Sequence, residues 1–318
     1  MDSHRPHFCI VGDIGVDLVM GSLTEWPQIG TELILPRSEL RAGGSAGNTA
    51  RLMRQLPQPT RLISAVGSDE LGPWLAQQFT GLALSLQVCP GPTTLSVGLM
   101  HACSERNFFT TEGHLARLSA AHVHEQLRQG GAVPAGSVAL FCAPFLLPGL
   151  MPDYASLLSA AASQGYAVAL DTGWPAGGWT EAVRRDIDTW LPLCDHLLLN
   201  ELEICSIAGT QDLDQAMQHL LPRLKPGATL VAKVGPRGAR AWQAGEWVTH
   251  AVVPAEVFDT IGAGDAFNAG YLGARLSGAG LEASLAAGCR VARTVLTHFP
   301  RSSLPAEALS NCLAAVPA

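Results

Sequence analysis

The chain has 318 residues, is 47% hydrophobic and 15% charged, and carries a formal net charge of −7. That is ample for one large α/β domain, or for a main domain with a small appendage. Lys225 and Lys233 are the only lysines, no basic run occurs and aromatics are sparse, which argues against a nucleic-acid partner; no apolar stretch is long and uninterrupted enough for a membrane span.

Residues Met1 to His7 lack the apolar core of a signal peptide, and Phe8-Cys9-Ile10-Val11-Gly12 already reads as a strand. That strand is expected to run from Phe8 to Val19, broken by Gly12-Asp13-Ile14-Gly15-Val16-Asp17. An acid in a buried strand is costly unless it is hydrogen-bonded. Asp17 is therefore either a structural cap on a neighbouring loop or an acceptor for the hydroxyls of a polyol. Residues 22–42 alternate in the β manner among turn residues and predict a small antiparallel excursion. Gly43-Gly44-Ser45-Ala46-Gly47-Asn48 then leads into helical Arg51-Leu52-Met53. Paired glycines there are either a plain turn or a place where backbone approaches a ligand, and Asn48 either caps its own helix or reaches that ligand.

Residues 61–72 predict a strand and a turn, with a helix following through Phe79. Residues 93–111 form a second β-rich excursion, ending in Arg106-Asn107-Phe108-Phe109-Thr110. The two excursions could pair as a lid, which suits an enzyme that keeps water from a reactive phosphoryl group. From residue 118 the alternation is regular: helix 118–129, strand 137–145, helix 153–164, strand 166–171, helix 180–191, strand 196–200. Short apolar strands between amphipathic helices predict a mostly parallel sheet covered on both faces. Ligands of such sheets bind at the carboxyl ends of strands, where Asp171, Asn200 and Gly235 all fall.

Asn200 and Glu203, three apart across a strand–helix boundary, could face one ion or water shell, or be an Asn cap followed by first-turn acids. The strand through Lys233 ends in the loop Gly235-Pro236-Arg237-Gly238. Next comes Asp259-Thr260-Ile261-Gly262-Ala263-Gly264-Asp265-Ala266-Phe267-Asn268, opening a helix over 262–278, with a further helix over 281–298. A Gly-Ala-Gly turn at a helix N-terminus presents unpaired N–H groups backed by the helix dipole, a site for an anion such as phosphate. Asp265 would repel that anion, and makes sense there as a base for a hydroxyl about to be phosphorylated. The plain alternative is an ordinary helix start with a first-turn acid.

Eight cysteines (9, 89, 103, 142, 194, 205, 289 and 312) show no Cys-x-x-Cys pair and sit mostly in apolar segments, so they read as reduced thiols of a cytoplasmic protein. No histidine spacing suits zinc. Walker A, protein-kinase and dinucleotide-binding signatures are all missing, so phosphoryl transfer here belongs to another design.

Four stretches carry a resemblance. Gly43-Gly44-Ser45-Ala46-Gly47-Asn48, Val66-Gly67-Ser68-Asp69-Glu70-Leu71-Gly72, Asn200-Glu201-Leu202-Glu203 and Asp259 to Phe267 occur in the order found in the ribokinase-like (PfkB) carbohydrate kinase family, and the chain resembles that family over nearly its whole length. The resemblance implies a ribokinase-like α/β domain with a β-sheet lid from residues 22–42 and 93–111, an ATP-dependent kinase of a small sugar acting on a hydroxyl, primary by expectation, and a homodimer formed through the lid. A nucleoside kinase of the same scaffold is the alternative within the class, and a sugar-sensing module without turnover the alternative outside it. It further implies that Asp265 is the general base and that Gly262, Ala263 and Gly264 form the anion hole. Asn200 and Glu203 would organise Mg2+ and phosphates through water, and the loop from Lys233 through Gly235 to Gly238 would border the nucleotide, with Gly264 beside it. Asp17, Gly43, Gly44 and Asn48 would hold substrate hydroxyls, with Arg106 approaching from the lid.

The chain departs from the family at several positions. Ribokinases proper tend to carry Asn where Gly15 stands, so ribose is not implied, and the family often has Thr or Ser where Lys233 stands. Several relatives bind a monovalent cation beside the Asp-Thr segment, here Asp259 and Ile261, with help from a Gly-containing loop. His298-Phe299-Pro300-Arg301-Ser302 fills that region, which counts against potassium dependence.

Overall fold

A computed structural model of the protein describes residues 5–102, 106–253, 255–258, 260–298, 304–305 and 307–314. Strand β1 (Phe8–Val11) lies in the main sheet, while β2 (Gly15–Leu23) and β3 (Arg37–Gly43) belong to a second sheet. Helix α1 (Ser45–Met53), β4 (Thr60–Gly67), α2 (Leu71–Gln77) and β5 (Ala83–Cys89) follow. The chain then returns to the second sheet with β6 (Leu95–His101) and β7 (Arg106–Thr110). The regular part runs α3 (Ala120–Gly130), β8 (Val138–Cys142), α4 (Tyr154–Ser163), β9 (Ala167–Asp171), α5 (Glu181–Trp190), β10 (His196–Asn200), α6 (Glu201–Ala208), α7 (Leu213–Leu220) and β11 (Thr229–Lys233). An edge hairpin, β12 (Ala239–Gln243) and β13 (Glu246–His250), precedes α8 (Ala263–Leu276), α9 (Leu281–Leu296) and α10 (Ala308–Ala314).

The main sheet has the order β13-β12-β11-β10-β9-β8-β1-β4-β5. It is parallel from β11 to β5 and antiparallel only at the β12–β13 edge. Its strands are continuously apolar because successive side chains enter two different cores. Cys9 and Val11 of β1 pack with Phe141, Leu170 and the helices α3 to α7, whereas Phe8 and Ile10 pack with Leu140, Leu198 and α1, α8 and α9. Among the described residues no helix is long and apolar enough to cross a membrane.

The expected strand over 8–19 is in fact two strands in two sheets. Gly12-Asp13-Ile14 forms the bend, and Asp17 sits on the second sheet rather than on a buried central strand. The structural cap is Asp13 instead: its carboxylate accepts from Ser45 N at 3.0 Å and Ala46 N at 3.3 Å, holding the start of α1. Gly44 precedes that helix with φ +85°, and a Cβ there would lie 2.4 Å from the Asp13 carbonyl oxygen, so only glycine lets α1 begin this close to the bend.

The second sheet has the order β3-β2-β6-β7. It starts at Gly15, earlier than the expected residue 22, and residues 24–36 contribute no strand to it. Period-two alternation gives the sheet two unlike faces. Asp17, Ser96 and Thr110 are cross-strand neighbours on one face, and Leu18, Leu40, Val97 and Phe109 are neighbours on the other. Val19 and Met100 bury an apolar contact with Ile261, linking this sheet to the segment before α8.

Candidate active site

A cleft of about 880 Å3 lies along the carboxyl ends of β1, β8, β9, β10 and β11, closed on one side by the second sheet. Its centre is the first turn of α8. Gly262 takes the N-cap position with φ 74°, and no side chain caps the helix. The first-turn N–H groups therefore face the cleft with the dipole behind them. Gly262, Ala263, Gly264 and Asp265 all line the cleft.

Two helix starts meet at this point. Asn48, in the first turn of α1, donates from Nδ2 to Asp265 Oδ2 at 2.8 Å, and Thr49 Oγ1 donates to the Asp265 carbonyl at 3.2 Å. Asp265 opens onto the cleft but is otherwise enclosed by protein. Burial, reinforced by the negative charge of Asp171, pushes its pKa up to about 8, against the opposing pull of the Asn48 hydrogen bond. Burial likewise raises Asp13 to about 6 and, with the charge of Asp171, Glu203 to about 7.

On the sheet side, Lys233 Nζ donates to Asp171 Oδ2 at 2.8 Å, and Asn268 Nδ2 donates to the same oxygen at 2.6 Å. Burial alone would lower the lysine pKa, but Asp171 and Glu203 together hold it above its usual value. Asn200 and Glu203 form a capping box: Glu203 N donates to Asn200 Oδ1 at 2.9 Å, and Asn200 N donates to Glu203 Oε2 at 2.8 Å. Gly235 and Gly238, with φ 58° and 96°, turn the chain beyond β11 and line the cleft. The far end is apolar, with Val252, Val253, Val257, Ala292 and Leu296. Asp17, Ser96, Phe108 and Thr110 enter from the second sheet, and Arg106 reaches across from it to donate to Thr260 Oγ1 at 2.5 Å.

The cleft thus gathers the expected Asp17, Gly44, Asn48, Arg106, Asn200, Glu203, Lys233, Gly235, Gly238 and the Gly262–Asp265 turn. Gly43 is the exception: it is buried and does not line the cleft, and a Cβ there would fall 2.0 Å from Asp17 Oδ2. It makes room for the Asp17 carboxylate, which does line the cleft. Ile261 lines the cleft while packing on Val19 and Met100; Asp259 and residues 299–302 lie outside the described residues. Sequence reasoning assigned no role to Asp13, Asp171 or Asn268. Asp171 at a strand end was the available signal, whereas the buried Asn268, three residues beyond Asp265 on α8, gave none. Among the described residues no three His, Cys, Asp or Glu side chains cluster as metal ligands. The cysteines described are free thiols, buried except for Cys312, and Cys103 lies outside the described residues.

Residues 8–306 match the family described as pfkB family carbohydrate kinase. The chain belongs to the pfkB family. Among its relatives, a ribokinase of Arabidopsis thaliana is 25% identical over 302 residues, covering 90% of this chain and 74% of that protein. A nucleoside kinase of Methanothermobacter thermautotrophicus is 24% identical over 274 residues, covering 86% and 83%. The solved structure of the Arabidopsis ribokinase complexed with ribose and ATP superposes with a TM-score of 0.77 at 22% identity, over 97% of this chain and 99% of that one. The fold is accordingly ribokinase-like, with the second sheet as its lid, and the pfkB chain is an ATP-dependent phosphotransferase of the sugar and nucleoside kinase group.

The raised pKa of Asp265 sets a pH dependence of stability. Between its ordinary value and about 8 the folded protein holds a proton that the unfolded chain has lost, so this stabilisation is complete below pH 4 and disappears as pH rises through 8. Without ligands the melting temperature is expected to fall from pH 5 to pH 9, and Asp265→Asn to melt higher than wild type at pH 8.5 with the difference closing at pH 5. Equal pH slopes for the two proteins in differential scanning fluorimetry would show that Asp265 is not protonated in the folded state.

Proposed function

We propose that this pfkB kinase phosphorylates a hydroxyl of a small sugar, most simply a primary hydroxyl, with Asp265 as general base. The observation that carries the reading is the Asp265 carboxylate, fixed by Asn48 in the first turn of an uncapped helix that opens onto the cleft. The acceptor hydroxyl gives its proton to Asp265 while its oxygen attacks the γ-phosphorus in line. The bond from that phosphorus to the bridging oxygen breaks, and ADP leaves with the electron pair. The N–H groups of the Gly262–Gly264 turn receive the phosphoryl oxygens. Asp17, Asn48 and the backbone at Gly44 orient the acceptor, Arg106 closes the lid over it, and the Gly235–Gly238 turn with the apolar end takes the nucleotide.

The donor set fits a divalent cation. Asp13, Asp17, Asp171, Glu203 and Asp265 line one cleft, burial raises three of them, and the capping box leaves Glu203 Oε1 free of backbone. An excess of buried carboxylate oxygen suits hydrated Mg2+. Held through water by Glu203 and Asn200, Mg2+ would neutralise phosphate charge. His298-Phe299-Pro300-Arg301-Ser302 stands where relatives that bind a monovalent cation carry a Gly-containing loop, so a potassium ion has no part in the proposal. The buried free thiols suit a reducing compartment, and we assign the enzyme to the cytoplasm on that ground.

A nucleoside acceptor is the second reading, favoured by one observation: Phe108, Leu146 and Trp174 leave 39%, 39% and 52% of their surface exposed while lining the cleft, an apolar shelf that a base could stack on. We also propose a homodimer through the lid, because Leu40 and Phe109 on its outer face are half exposed beside Leu18 and Val97.

Asp265→Asn is expected to lower kcat by roughly a thousandfold or more while nucleotide binding persists; near-normal turnover of the variant would end the assignment. A thermal-shift panel of sugars and nucleosides, with and without Mg-ATP and paired with ADP release, is expected to single out one acceptor, since ligands of the native state raise its stability. Phosphorylation of a nucleoside with no sugar turned over would replace the first reading by the second. In sedimentation velocity the protein should run as a dimer and Phe109→Glu as a folded monomer, and a monomeric wild type would dispose of the lid interface.

A further inference from the structure

Lys233 ends β11 directly beside Asn200 of β10, and its side chain reaches under the first turn of α8. Nζ donates to Asp171 Oδ2 at 2.8 Å and to Asn268 Oδ1 at 3.4 Å, and a Cβ on Gly264 would come within 3.4 Å of it. The side chain is 12% exposed and faces the cleft. The other cations lining the cleft are engaged with other partners: Arg106 donates to Thr260 Oγ1 and Arg293 to the Val253 carbonyl. The bland account is a structural counter-ion for Asp171. Buried ion pairs are a poor source of stability, however, and apolar pairs of similar volume often serve as well.

We propose that Lys233 is a further catalytic residue: its ammonium contacts the oxygens of the phosphoryl group in transit at the N-terminus of α8, and Asp171 and Asn268 are the positioning residues that aim it. The proposal rests on the kinase reading above and adds no bond to the transfer step; the lysine keeps its protons throughout. Negative charge spreads over the three equatorial oxygens during transfer, and a fixed cation beside them does not have to reorganise. Loss of one such preorganised donor typically lowers kcat by about a hundredfold to a thousandfold.

The test compares Lys233→Met, Asp171→Asn and the Lys233→Met/Asp171→Asn double variant with wild type, reading kcat together with ATP and ADP dissociation constants by titration calorimetry. The double variant removes the ammonium and its carboxylate partner together and leaves the net charge of the site unchanged, so it controls for the loss of the ion pair. The expected result is that Lys233→Met lowers kcat about a hundredfold or more and weakens ATP about tenfold while ADP binding holds. The double variant stays equally slow and equally blind to the γ-phosphate. Recovery of wild-type kcat and of the ATP preference in the double variant would reduce Lys233 to a counter-ion and overturn the proposal, as would an unchanged ATP preference in Lys233→Met. If wild type prefers ATP to ADP, transfers phosphate to no acceptor and loses that preference in both Lys233 variants, the kinase reading fails while the Lys233 contact stands.

Discussion

The hydrogen bond from Asn48 to Asp265 joins the first turns of two helices that are 217 positions apart in the chain. Everything around the cleft is arranged so that these two helix starts can meet. Asp13 holds α1 by its backbone N–H groups, and Gly44 lets the chain enter that helix directly from the bend after β1. Gly262 does the same for α8 with a left-handed backbone and no capping side chain. A carboxylate is thereby fixed where the helix field favours an anion, with its orientation set by an amide from another helix rather than by its own.

That placement has an electrostatic cost, visible in the raised pKa values of Asp13, Glu203 and Asp265. Burial is the first cause for each, and the charge of Asp171 adds to each. Asp171 in turn is matched by Lys233 and Asn268, the only strong donors that reach its Oδ2 among the described residues. A site with several buried acids and one engaged ammonium favours further positive charge, which is the physical ground for the divalent cation proposed above. The lid adds its inner face, Asp17, Ser96 and Thr110, and is tied to the main body by the Arg106–Thr260 hydrogen bond and the Val19–Met100–Ile261 contact.

Much of this was legible in the chain itself. The apolar strands between amphipathic helices from residue 118 onward appear as the expected parallel sheet, and the Gly-Ala-Gly-Asp turn does open a helix at the cleft. Asn200 and Glu203 were read as either a cap or an ion site; the capping box forms, because a three-residue spacing at a helix start satisfies its own N–H groups first, and both side chains also line the cleft. The split of residues 8–19 between two sheets was not legible. Both halves are apolar enough for strands, and only their hydrogen-bonding partners, β4 and β8 for one and β3 and β6 for the other, tell them apart.

Local sequence determined the alternating strands and helices from residue 118 onward, the glycine turns that only glycine can make and the acids at strand ends, since these follow from period, backbone freedom and the cost of burying charge. Tertiary structure decided which acids share a site, that Gly43 is a spacer under Asp17, that Asn268 turns inward, and that Lys233 points at the helix start rather than outward with the nucleotide loop. Those facts depend on the packing of β9, β11 and α8 against one another, and contacts between residues dozens to hundreds of positions apart leave no mark on any one stretch of chain.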